Sequence, residues 1–563
     1  MKQRRHRVGI AVTLAMTMLF AGACSSANKA NNEPRGAVSS SSNKGNQDTQ
    51  ASGKSAEPLG KYDPPIVVRT SKLIPPSMKF LEGESFENNV WTRAYEEELG
   101  IKVKFDWTVK GSNDQYDQKM NVTIASGDLP DIFTVNAVQL KQLVDNDQVA
   151  DLTEAYADYS AALTKEIVEA DGGMALKSAT FDGKLFAMPY TGSAIDHAPL
   201  LWIRVDWLKK LGLEPPRTID DLYRISEAFV KQDPDGNSKD DTFGLVLHKD
   251  LYGGMPGLEG FFNGYHAYPK LWIKNKDGAI TYGSIEPEMR KALEKLREMY
   301  ANGHFDREFG VKDSAKIIEM LNAGKAGLFY GGMPSSLILA GGKELNPEFD
   351  LQAFELPSAD GEPTLAQVPF PINEYFVVRK GFEHPEAVVK LLNMSIDKDY
   401  GKNIQVEKFG SKDGVQFFQY KIVNSQHPKA NLENYRHLQP ALAAGSDEGL
   451  TPSEKYYYGE IMKFRNGDNI GWGFNRVFGP EGSQGVFDKL DKENRFLYTS
   501  FYGAPVPAQA DNISTLDKME LETFTRIIMG EVGIEAFDKF VTDWKKIGGE
   551  QILKEMNEWL AKQ

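Results

Sequence analysis

Cysteine is almost absent from this sequence of 563 residues, which contains only Cys24. A single cysteine excludes an internal disulfide framework, a zinc site built from cysteines and a Cys-x-x-Cys redox pair. Histidine is also scarce, and the eight histidines, among them His197, His248 and His266, form no cluster with the spacing of metal ligands. Neither a Gly-x-Ser-x-Gly nor a His-Glu-x-x-His motif occurs. The sequence therefore carries no ordered catalytic signature.

Positive charge is in deficit, with 65 Lys and Arg against 79 Asp and Glu and a net charge of −14. That sign is wrong for a protein that must neutralise phosphates, so we expect no nucleic-acid partner. With 41% hydrophobic and 26% charged residues, the composition is that of a globular protein and excludes collagen-like, disordered and polytopic membrane classes. At about 150 residues per domain, the length predicts three to four domain-sized units or two large lobes.

The first 24 residues have the pattern of an export signal. Four basic residues within positions 2–7 precede an apolar run at positions 8–20, and small residues follow. This run is too short to span a hydrocarbon layer of about 30 Å, so we expect residues 1–23 to be a cleaved signal peptide. The site resembles a bacterial lipobox, although Ala21 stands where Leu is commoner, which implies that Cys24 becomes the lipidated, palmitate-bearing first residue. The alternative is an ordinary signal peptide with an incidental cysteine.

Residues 24–62 are predicted to form a lipidated, disordered tether. They are rich in Ser, Asn, Gly and Lys and contain few residues able to build a core. The Gly53-Lys54-Ser55 triplet is no phosphate-binding loop, because the glycine required five positions earlier is missing. A lipid and a flexible spacer indicate a protein anchored at the extracellular face of the cell membrane.

The folded part begins near residue 63 with alternating strands and helices. Residues 65–69, 101–107 and 131–135 have the apolar patterns of strands, and helical patterns lie between them. This β-α-β-α-β order predicts a mainly parallel sheet with helices on its faces. Ligands of such sheets lie beyond the carboxyl ends of the strands, so the loop that starts at Asn136 is a candidate binding segment.

Four segments resemble the family 1 extracellular solute-binding proteins, the capture components of carbohydrate importers. They are SGDLPDIFTVN at residues 126–136, FDGKLFAMPY at 181–190, LWIRVDWLKKLGL at 201–213 and AGKAGLFY at 323–330. The similarity extends over residues 63–563 and is closest to Gram-positive lipoproteins described as oligosaccharide or aldouronate binders. It implies an α/β fold of the two-lobed, periplasmic-binding-protein-like clamshell type (type 2). Each lobe would be a mainly parallel sheet flanked by helices, and the C-terminus would be helical.

The resemblance also implies how the chain is divided. Lobe 1 is expected to comprise residues 63–192 plus about 370–430, and lobe 2 about 193–369 plus 431–563, with crossings near 190–198 and 369–375. The solute would lie between the lobes, which would close around it by a hinge motion. Near the C-terminus, the helical spacing of apolar residues places Trp544 and Trp559 in a core.

The segment DPDGNSKDD at residues 233–241 has the pattern of an EF-hand-type calcium loop. The oxygen-bearing positions are Asp233, Asp235, Asn237, Lys239 through its carbonyl, and Asp241. A tight loop turns alternate side chains inward, so these oxygens can surround one structural Ca²⁺. Gly236 at position 4 and Gly244 at position 12 depart from the full pattern, which predicts modest affinity. The alternative is a solvated Asp/Gly turn; the resemblance implies calcium, because relatives bind it in this loop.

Sugar rings present an apolar C–H face and a rim of hydroxyl groups, so their sites combine flat aromatic side chains with amide, carboxylate and Arg groups. Aromatic residues flanked by Gly or Pro, and polar residues at the ends of elements or at the crossings, are the candidates. They are Asn88, Trp91, Asn136, Tyr190, Arg204, Trp272, Tyr330, Glu374, Tyr375, Trp472, Phe474 and Asn475. For each of them, packing in a core is the competing interpretation. An arginine in the cleft, supplied by Arg204 or Arg476, would favour a uronate over a neutral sugar.

Together these features predict a lipid-anchored extracellular substrate-binding protein, not an enzyme, that captures an oligosaccharide and delivers it to an ABC-type importer. The expected partners are the permease subunits and a separate ATPase, since the sequence has no ATP-binding motif. The protein itself is expected to be a monomer. A surface sensor or adhesin on the same fold is the main alternative, and a secreted polysaccharide-degrading enzyme is a further one.

Overall fold

Short strands and helices alternate over most of the computed structural model, which describes residues 57–76, 78–372, 374–402, 404–412 and 415–562. The strands are β1 (Ile66–Ile74), β2 (Ile101–Lys110), β3 (Ile132–Val135), β4 (Thr180–Phe181), β5 (Lys184–Leu185), β6 (Met188–Pro189), β7 (Leu200–Arg204), β8 (Phe243–Leu245), β9 (Trp272–Lys274), β10 (Ile280–Tyr282), β11 (Ala326–Gly331), β12 (Leu351–Phe354), β13 (Ala366–Val368), β14 (Tyr375–Val378), β15 (Ser411–Lys412), β16 (Val415–Gln416) and β17 (Phe496–Tyr498). The α-helices are α1 (Val90–Ala94), α2 (Asn113–Ser126), α3 (Ala137–Asp145), α4 (Thr153–Tyr159), α5 (Ala162–Val168), α6 (Met174–Ser178), α7 (Val205–Leu211), α8 (Ile219–Lys231), α9 (Glu259–Asn263), α10 (Glu288–Ala301), α11 (Ser314–Asn322), α12 (Ser335–Ile338), α13 (Ala340–Leu345), α14 (Ala387–Tyr400), α15 (Ala430–Ala444), α16 (Pro452–Arg465), α17 (Trp472–Phe478), α18 (Ser483–Lys492), α19 (Pro507–Ile528), α20 (Glu535–Trp544) and α21 (Glu550–Leu560).

Two separate hydrophobic cores divide the described chain into two lobes. The core of lobe 1 draws on residues between Val68 and Met188 and between Ile372 and Val423. The core of lobe 2 draws on residues between Ile195 and Val368 and between Leu432 and Met556. The chain therefore passes from one core to the other three times within the described residues. Both cores fall within the segments expected for the two lobes, whose exact boundaries remain a prediction.

The sheet of lobe 1 combines strands from before and after the excursion into lobe 2. β1 and β2 pair in parallel, and the Asp131 N–H donates to the Arg69 carbonyl (2.9 Å) where β1 meets the start of β3. β14 lies antiparallel between β3 and β6. Tyr375 at the start of β14 lies opposite Val135 at the end of β3. The end of β3, the start of β14 and the loop at Asn136 therefore share one edge of the sheet.

The sheet of lobe 2 has the strand order β12-β7-β11-β8. β7 is antiparallel to β12 and β11, whereas β11 and β8 are parallel. Gly331 at the end of β11 lies opposite Leu200 at the start of β7. The start of β7 and the end of β11 therefore meet at the edge from which the chain enters lobe 2.

The α/β class is confirmed, because helices pack against both sheets, but the pairing directions differ from the mainly parallel sheets predicted. β1 with β2, β8 with β11 and β13 with β17 are parallel, whereas β7 and β14 run against their neighbours. Each of these two strands follows a passage between the lobes. β7 enters its sheet at the edge where β11 ends, and β14 enters its sheet at the edge where β3 ends. Each of the two strands therefore runs in the direction opposite to that neighbour.

Helix α8 shows how local sequence sets an element that supports lobe 2. The Thr218 hydroxyl accepts the Asp221 N–H (3.1 Å), and the Asp221 carboxylate accepts the Thr218 N–H (3.0 Å), so the two residues form a capping box. Leu222, Ile225 and Phe229 recur at helical spacing and are buried against the sheet. The helix ends just before the acidic loop at residues 233–241, which is followed by β8.

Residues 57–62, expected to belong to the disordered tether, are packed on lobe 1 instead. The Lys390 ammonium donates to the Gly60 carbonyl (2.7 Å), and the Asn393 amide donates to the Pro58 carbonyl (2.8 Å). Both donors lie on α14. The predicted end of the tether at residue 62 therefore lies too far along the chain. The sequence near residues 57–62 does not reveal their packing, because the donors to these carbonyls are more than 300 residues away.

The predicted signal peptide and its cysteine, Cys24, lie outside the described residues. Within the residues that the structure describes, none of the helices combines the length and the apolar character needed to cross a membrane.

The C-terminal part of lobe 2 is helical, as the sequence predicts, and consists of α19, α20 and α21. Trp544 is fully buried and stacks on Tyr282, with 5.1 Å between the ring centroids. Trp559 is half-buried and packs edge-on against Phe501 at 4.9 Å. Both tryptophans therefore belong to the packing of the helices, as expected.

Candidate functional site

A cavity of about 300 Å³ opens in lobe 1 at the shared edge of β1, β3 and β14. Its lining is Ser71, Lys72, Leu73, Pro75, Met78, Asn113, Tyr116, Asp117, Thr134, Val135, Asn136, Tyr190, Glu374, Phe418, Gln419, Asn424 and Gln426. These residues bring amides, carboxylates, hydroxyls and aromatic rings together with few other apolar groups. We refer to this set as the lobe 1 cavity.

The floor of the lobe 1 cavity is held by hydrogen bonds between α2 and α3. Asn136 caps α3, because its side-chain oxygen accepts the Gln139 N–H (3.0 Å). The amide group of Asn136 donates to the Asp117 carboxylate (2.9 Å), and the Tyr116 hydroxyl lies between Ser71 and the β3 backbone. The Asn136 amide therefore holds the Asp117 carboxylate beside the end of β3.

Lys72 and Glu374 supply opposite charges to the lobe 1 cavity. Burial lowers the pKa of Lys72, which Glu374 opposes, and burial raises the pKa of Glu374, which Lys72 opposes. The Lys72 ammonium also donates to the Lys421 carbonyl. Among the described residues, by contrast, no donor forms a hydrogen bond with the Glu374 carboxylate, which leaves its oxygens available to a ligand.

Tyr190 gives the lobe 1 cavity an aromatic surface at the passage to lobe 2. Its ring is half-buried, and its N–H donates to the Glu374 carbonyl (2.9 Å). Burial, with smaller contributions from Glu374 and Asp399, raises the pKa of Tyr190 to about 12. The phenol therefore stays protonated at neutral pH and can donate a hydrogen bond.

A second cavity, of about 410 Å³, lies in lobe 2 where β11 ends and the chain approaches β7. We call it the lobe 2 cavity, and it is lined by His197, Pro199, Tyr252, Gly253, Gly254, Gly257, Glu259, Lys270, Leu271, Tyr330, Gly331, Gly332, Gln367 and Pro369. The Tyr330 hydroxyl is buried without a hydrogen-bond partner among the described residues. A Cβ at Gly260 would lie 2.3 Å from the Tyr330 ring, so only glycine lets this ring reach its position. Burial raises the pKa of Glu259, whose carboxylate accepts the Gly253 N–H (2.8 Å).

Both cavities border the segments that pass between the lobes. Tyr190 of the lobe 1 cavity and His197 of the lobe 2 cavity are seven residues apart in the chain. Pro369 and Glu374 are five residues apart, a distance of at most about 18 Å even in extended chain. We treat the two cavities as the two walls of a candidate binding cleft, one on each lobe.

Four of the predicted ligand residues line this cleft. Asn136, Tyr190 and Glu374 come together in the lobe 1 cavity, and Tyr330 lies in the lobe 2 cavity. Each of them ends or follows a strand, or lies at a passage between the lobes. The rule that ligands lie beyond strand ends identifies these positions.

Several predicted aromatics serve the cores instead of lining either cavity. The Trp91 indole is fully buried and donates to the Phe409 carbonyl (3.1 Å). Trp272 packs against Tyr282 at 4.7 Å, and the Tyr375 hydroxyl donates to Ser178 (2.9 Å) within the core of lobe 1. The hydrogen-bond partners of Trp91 and Tyr375 are distant in sequence, whereas Tyr282 lies on the strand that pairs with that of Trp272.

The Gly-Trp-Gly-Phe-Asn cluster and Asn88 also lie elsewhere. The Trp472 indole is fully buried and donates to Asp350 (2.8 Å), and Phe474 packs among tyrosines of α16. Asn475 lies on the same helix and lines neither cavity. Asn88 is exposed and accepts a hydrogen bond from Arg93 (2.9 Å). The glycines that flank Trp472 reflect close helix packing, since a Cβ at Gly473 would lie 2.9 Å from Leu337.

Both arginines considered for the cleft are paired with carboxylates away from it. Arg204 donates to Asp206 (2.8 Å) and is stacked between two aromatic rings; it lines a separate cavity of about 970 Å³ at the opposite end of β7. Arg476 donates to Asp350 (2.9 Å). Neither arginine lines the lobe 1 or the lobe 2 cavity.

Sequence reasoning missed other polar residues of the cleft, chiefly Lys72, Asp117, Tyr252, Lys270 and Gln367. Lys72 follows three other polar residues of β1, Arg69, Thr70 and Ser71, so its charge does not distinguish it within the strand. The others lie on helices, strands or loops whose approach to the cleft depends on tertiary packing. No local pattern marks them.

The acidic loop at residues 233–241 is folded around the carboxylate of Asp233. This carboxylate accepts the backbone N–H groups of Asn237 (3.0 Å) and Ser238 (2.9 Å). Asp233 and Ser238 have positive φ angles of 46° and 60°, which the tight turn requires. The loop therefore turns alternate side chains inward, as its sequence predicts.

The inward carboxylates of this loop meet an ammonium group of the protein itself. Lys325, directly before β11, places its Nζ 2.7 Å from an Asp241 oxygen and 3.2 Å from an Asp235 oxygen. The Asn237 amide nitrogen donates to the same two carboxylates (2.8 and 3.0 Å). In the described part of the chain, no three His, Cys, Asp or Glu side chains are grouped closely enough to hold a metal ion. The oxygen donors suit a hard cation, but Lys325 must move before a metal can contact them.

A family model described as bacterial extracellular solute-binding protein matches residues 79–402. That span is more than half of the chain, so the chain belongs to this family. The proteins of this family are named for binding solutes and not for a catalysed reaction.

The chain is similar to three proteins of known name. The Bacillus subtilis lipoprotein LipO is 26% identical over 480 residues, which are 83% of this chain and 87% of LipO. The polygalacturonan/rhamnogalacturonan-binding protein YtcQ of B. subtilis is 23% identical over 458 residues, 78% of this chain and 82% of YtcQ. The solved structure of an EF-hand mutant of Streptococcus pneumoniae FusA, an ABC-transporter substrate-binding protein, in complex with fructo-nystose has a TM-score of 0.55 and 15% identity, and the match covers 88% of this chain and 99% of FusA. The last comparison supports the fold.

Proposed function

We propose that this chain is a lipid-anchored extracellular substrate-binding protein that captures an oligosaccharide between its two lobes and delivers it to an ABC-type importer. The observation that carries this proposal is the pair of cavities, one on each lobe, at the passages between the lobes. Membership of the solute-binding family and the sugar-binding names of YtcQ and FusA support it.

The chemistry of the cleft matches a polyhydroxylated ligand. Asn136, Gln419, Asn424 and Gln426 offer amide groups that both donate and accept hydrogen bonds. The half-buried ring of Tyr190 offers a surface for the apolar face of a sugar ring. A cleft of this kind fixes a sugar through many directional contacts, while the ring supplies apolar contact area.

Delivery to an importer follows from the anchoring proposed for Cys24. A lipid at Cys24 keeps the protein at the outer face of the membrane, where it can meet permease subunits that work with a separate ATPase. The similarity to LipO, which is named a lipoprotein, supports this anchor. The acting form would be a monomer whose lobes close on the ligand.

A thermal-shift screen of the mature protein against an oligosaccharide library tests this function. We expect at least one oligosaccharide to raise the Tm by several degrees at saturating concentration, because a ligand that binds the folded state alone stabilises it. The same samples are then analysed for new reducing ends. Release of shorter products would contradict the proposal and favour an enzyme, and a library without any stabilising carbohydrate would also contradict it.

We further propose that the loop at residues 233–241 takes a structural Ca²⁺ weakly, in competition with Lys325. The ion would be held by Asp233, Asp235, Asn237, the Lys239 carbonyl and Asp241. The spacing of the loop supports this proposal, as does the EF-hand named for FusA. Because the Lys325 ammonium already bridges Asp235 and Asp241, calcium must displace a tethered cation.

Replacing Lys325 by Met is expected to make calcium more important to the protein. In the presence of EDTA the variant should melt below the wild type, because Asp235 and Asp241 then repel each other. Millimolar calcium should raise its Tm by more than that of the wild type, with calcium affinity about 10-fold tighter. Lys274→Met, which removes an exposed lysine from β9, is the matched control. The calcium proposal would be contradicted if the Tm were the same in EDTA and in millimolar calcium for both the wild type and Lys325→Met.

A further inference from the structure

The charges that line the cleft restrict the chemical class of its ligand. The titratable and charged groups of the lobe 1 cavity are Lys72, Asp117 and Glu374, and those of the lobe 2 cavity are His197, Glu259 and Lys270. Carboxylates thus outnumber lysines on the two walls. No arginine lines either wall in the part of the chain that the structure describes.

The lysines of the cleft are already engaged by other groups of the protein. The Lys72 ammonium donates to the Lys421 carbonyl and lies in the field of Glu374. The Lys270 ammonium lies 2.6 Å from Asp517 and 3.4 Å from Glu520, which is fully buried. Neither lysine is placed as a spare positive charge toward the cleft.

The carboxylates, in contrast, are placed to accept hydrogen bonds from a ligand. Among the described residues, no hydrogen bond reaches the Glu374 carboxylate, and the Asn136 amide holds only one side of Asp117. Hydroxyl groups of a sugar can donate to these oxygens. A ligand carboxylate would instead face like charge without the bidentate arginine that usually pairs with it in a low-polarity site.

We infer that the ligand is an uncharged oligosaccharide and that Asp117 and Glu374 reject uronates by charge. This inference rests on the proposed function, since it assumes that the cleft binds a carbohydrate. It separates this chain from the relative YtcQ, which is named for binding polygalacturonan, an acidic polymer. Specificity of this kind needs repulsive contacts as well as attractive ones.

A matched ligand panel tests the inference by titration calorimetry on the mature protein at pH 7. The panel contains uncharged oligosaccharides of several linkages, oligogalacturonates, the methyl esters of the same oligogalacturonates, and cationic glucosamine oligomers. We expect an uncharged member to bind, and every oligogalacturonate to bind about 100-fold more weakly than that member. An oligogalacturonate or glucosamine oligomer that binds as tightly as the best uncharged member overturns the inference while leaving the proposed function in place. If no carbohydrate of any charge binds, the proposed function fails, and this inference fails with it.

The variant Glu374→Gln tests the role of charge without changing the shape of the side chain. It should weaken binding of the best uncharged ligand by about 5- to 10-fold and narrow the affinity advantage of that ligand over the oligogalacturonates, and the Tm of the unliganded variant reports its folding. Glu383→Gln, at an exposed glutamate outside the cleft, is the matched control. A Glu374→Gln protein that keeps both affinities of the wild type overturns the role assigned to Glu374.

Discussion

Replacing Cys24 by Ser is expected to release nearly all of the protein from the cell membrane into the medium. Serine cannot carry the thioether-linked lipid that we propose for Cys24. Two or more acyl chains hold a protein stably at a membrane, whereas a chain without them has only its surface to bind with. The acidic composition, with a net charge of −14, also disfavours adhesion to anionic headgroups.

Fractionation of cells that express the wild type and Cys24→Ser, with labelled palmitate in the medium, measures this effect. The wild type should incorporate label and sediment with membranes, and the variant should do neither. Ser26→Ala, two residues further on, is the matched control and should behave as the wild type. If Cys24→Ser protein stays with the membranes, the lipobox interpretation is wrong and Cys24 is incidental to the signal peptide.

Substitution of the cleft tyrosines is expected to give the largest losses of ligand affinity. Tyr190→Ala removes the half-buried ring from the lobe 1 cavity, which should lower the affinity for an oligosaccharide by about 10- to 100-fold. Tyr330→Phe removes a hydroxyl that has no partner among the described residues. The loss of this hydroxyl should therefore leave the Tm of the unliganded protein unchanged and lower the affinity for the ligand by about 2- to 10-fold.

Because Tyr190 and Tyr330 lie on different lobes, the double variant measures whether one ligand contacts both walls. If both contacts form in one closed complex, the two losses should multiply, since distant sites contribute independently to the free energy of binding. Calorimetry gives the affinities, and Tyr456→Ala, at an exposed ring outside the cleft, is the control. A Tyr330→Phe variant with wild-type affinity would place the ligand on lobe 1 alone.

The sequence predicted those parts of the fold and site that depend on local pattern. The strand before Asn136 and the positions of Tyr190 and Glu374 at the passages follow from neighbouring residues. Such features need only the periodicity of an element and the chemistry of its ends. The α/β class follows from the order of these elements.

The positions of the remaining residues depend on contacts with residues that are distant in sequence. The Trp91 indole finds its acceptor at Phe409, and that of Trp472 finds its acceptor at Asp350, 122 residues away. Lys72 on β1 meets Glu374, which precedes β14, in the lobe 1 cavity. The two members of each pair are far apart in sequence, so no local pattern reveals the contact. The glycines that flank Trp472 therefore suggested a binding site where the structure shows packing in a core. The antiparallel direction of β7 and β14 has the same origin, since it depends on where the chain re-enters each sheet.

The central claim is that one oligosaccharide is clamped between the two lobes, and the distance between the lobes tests it most directly. Cys24→Ser leaves a chain without cysteine, so Val138→Cys on lobe 1 and Val311→Cys on lobe 2 can carry two spin labels at exposed sites. Electron paramagnetic resonance should give a shorter label-to-label distance when calorimetry shows the oligosaccharide to be bound. An unchanged distance distribution at full occupancy would contradict the account.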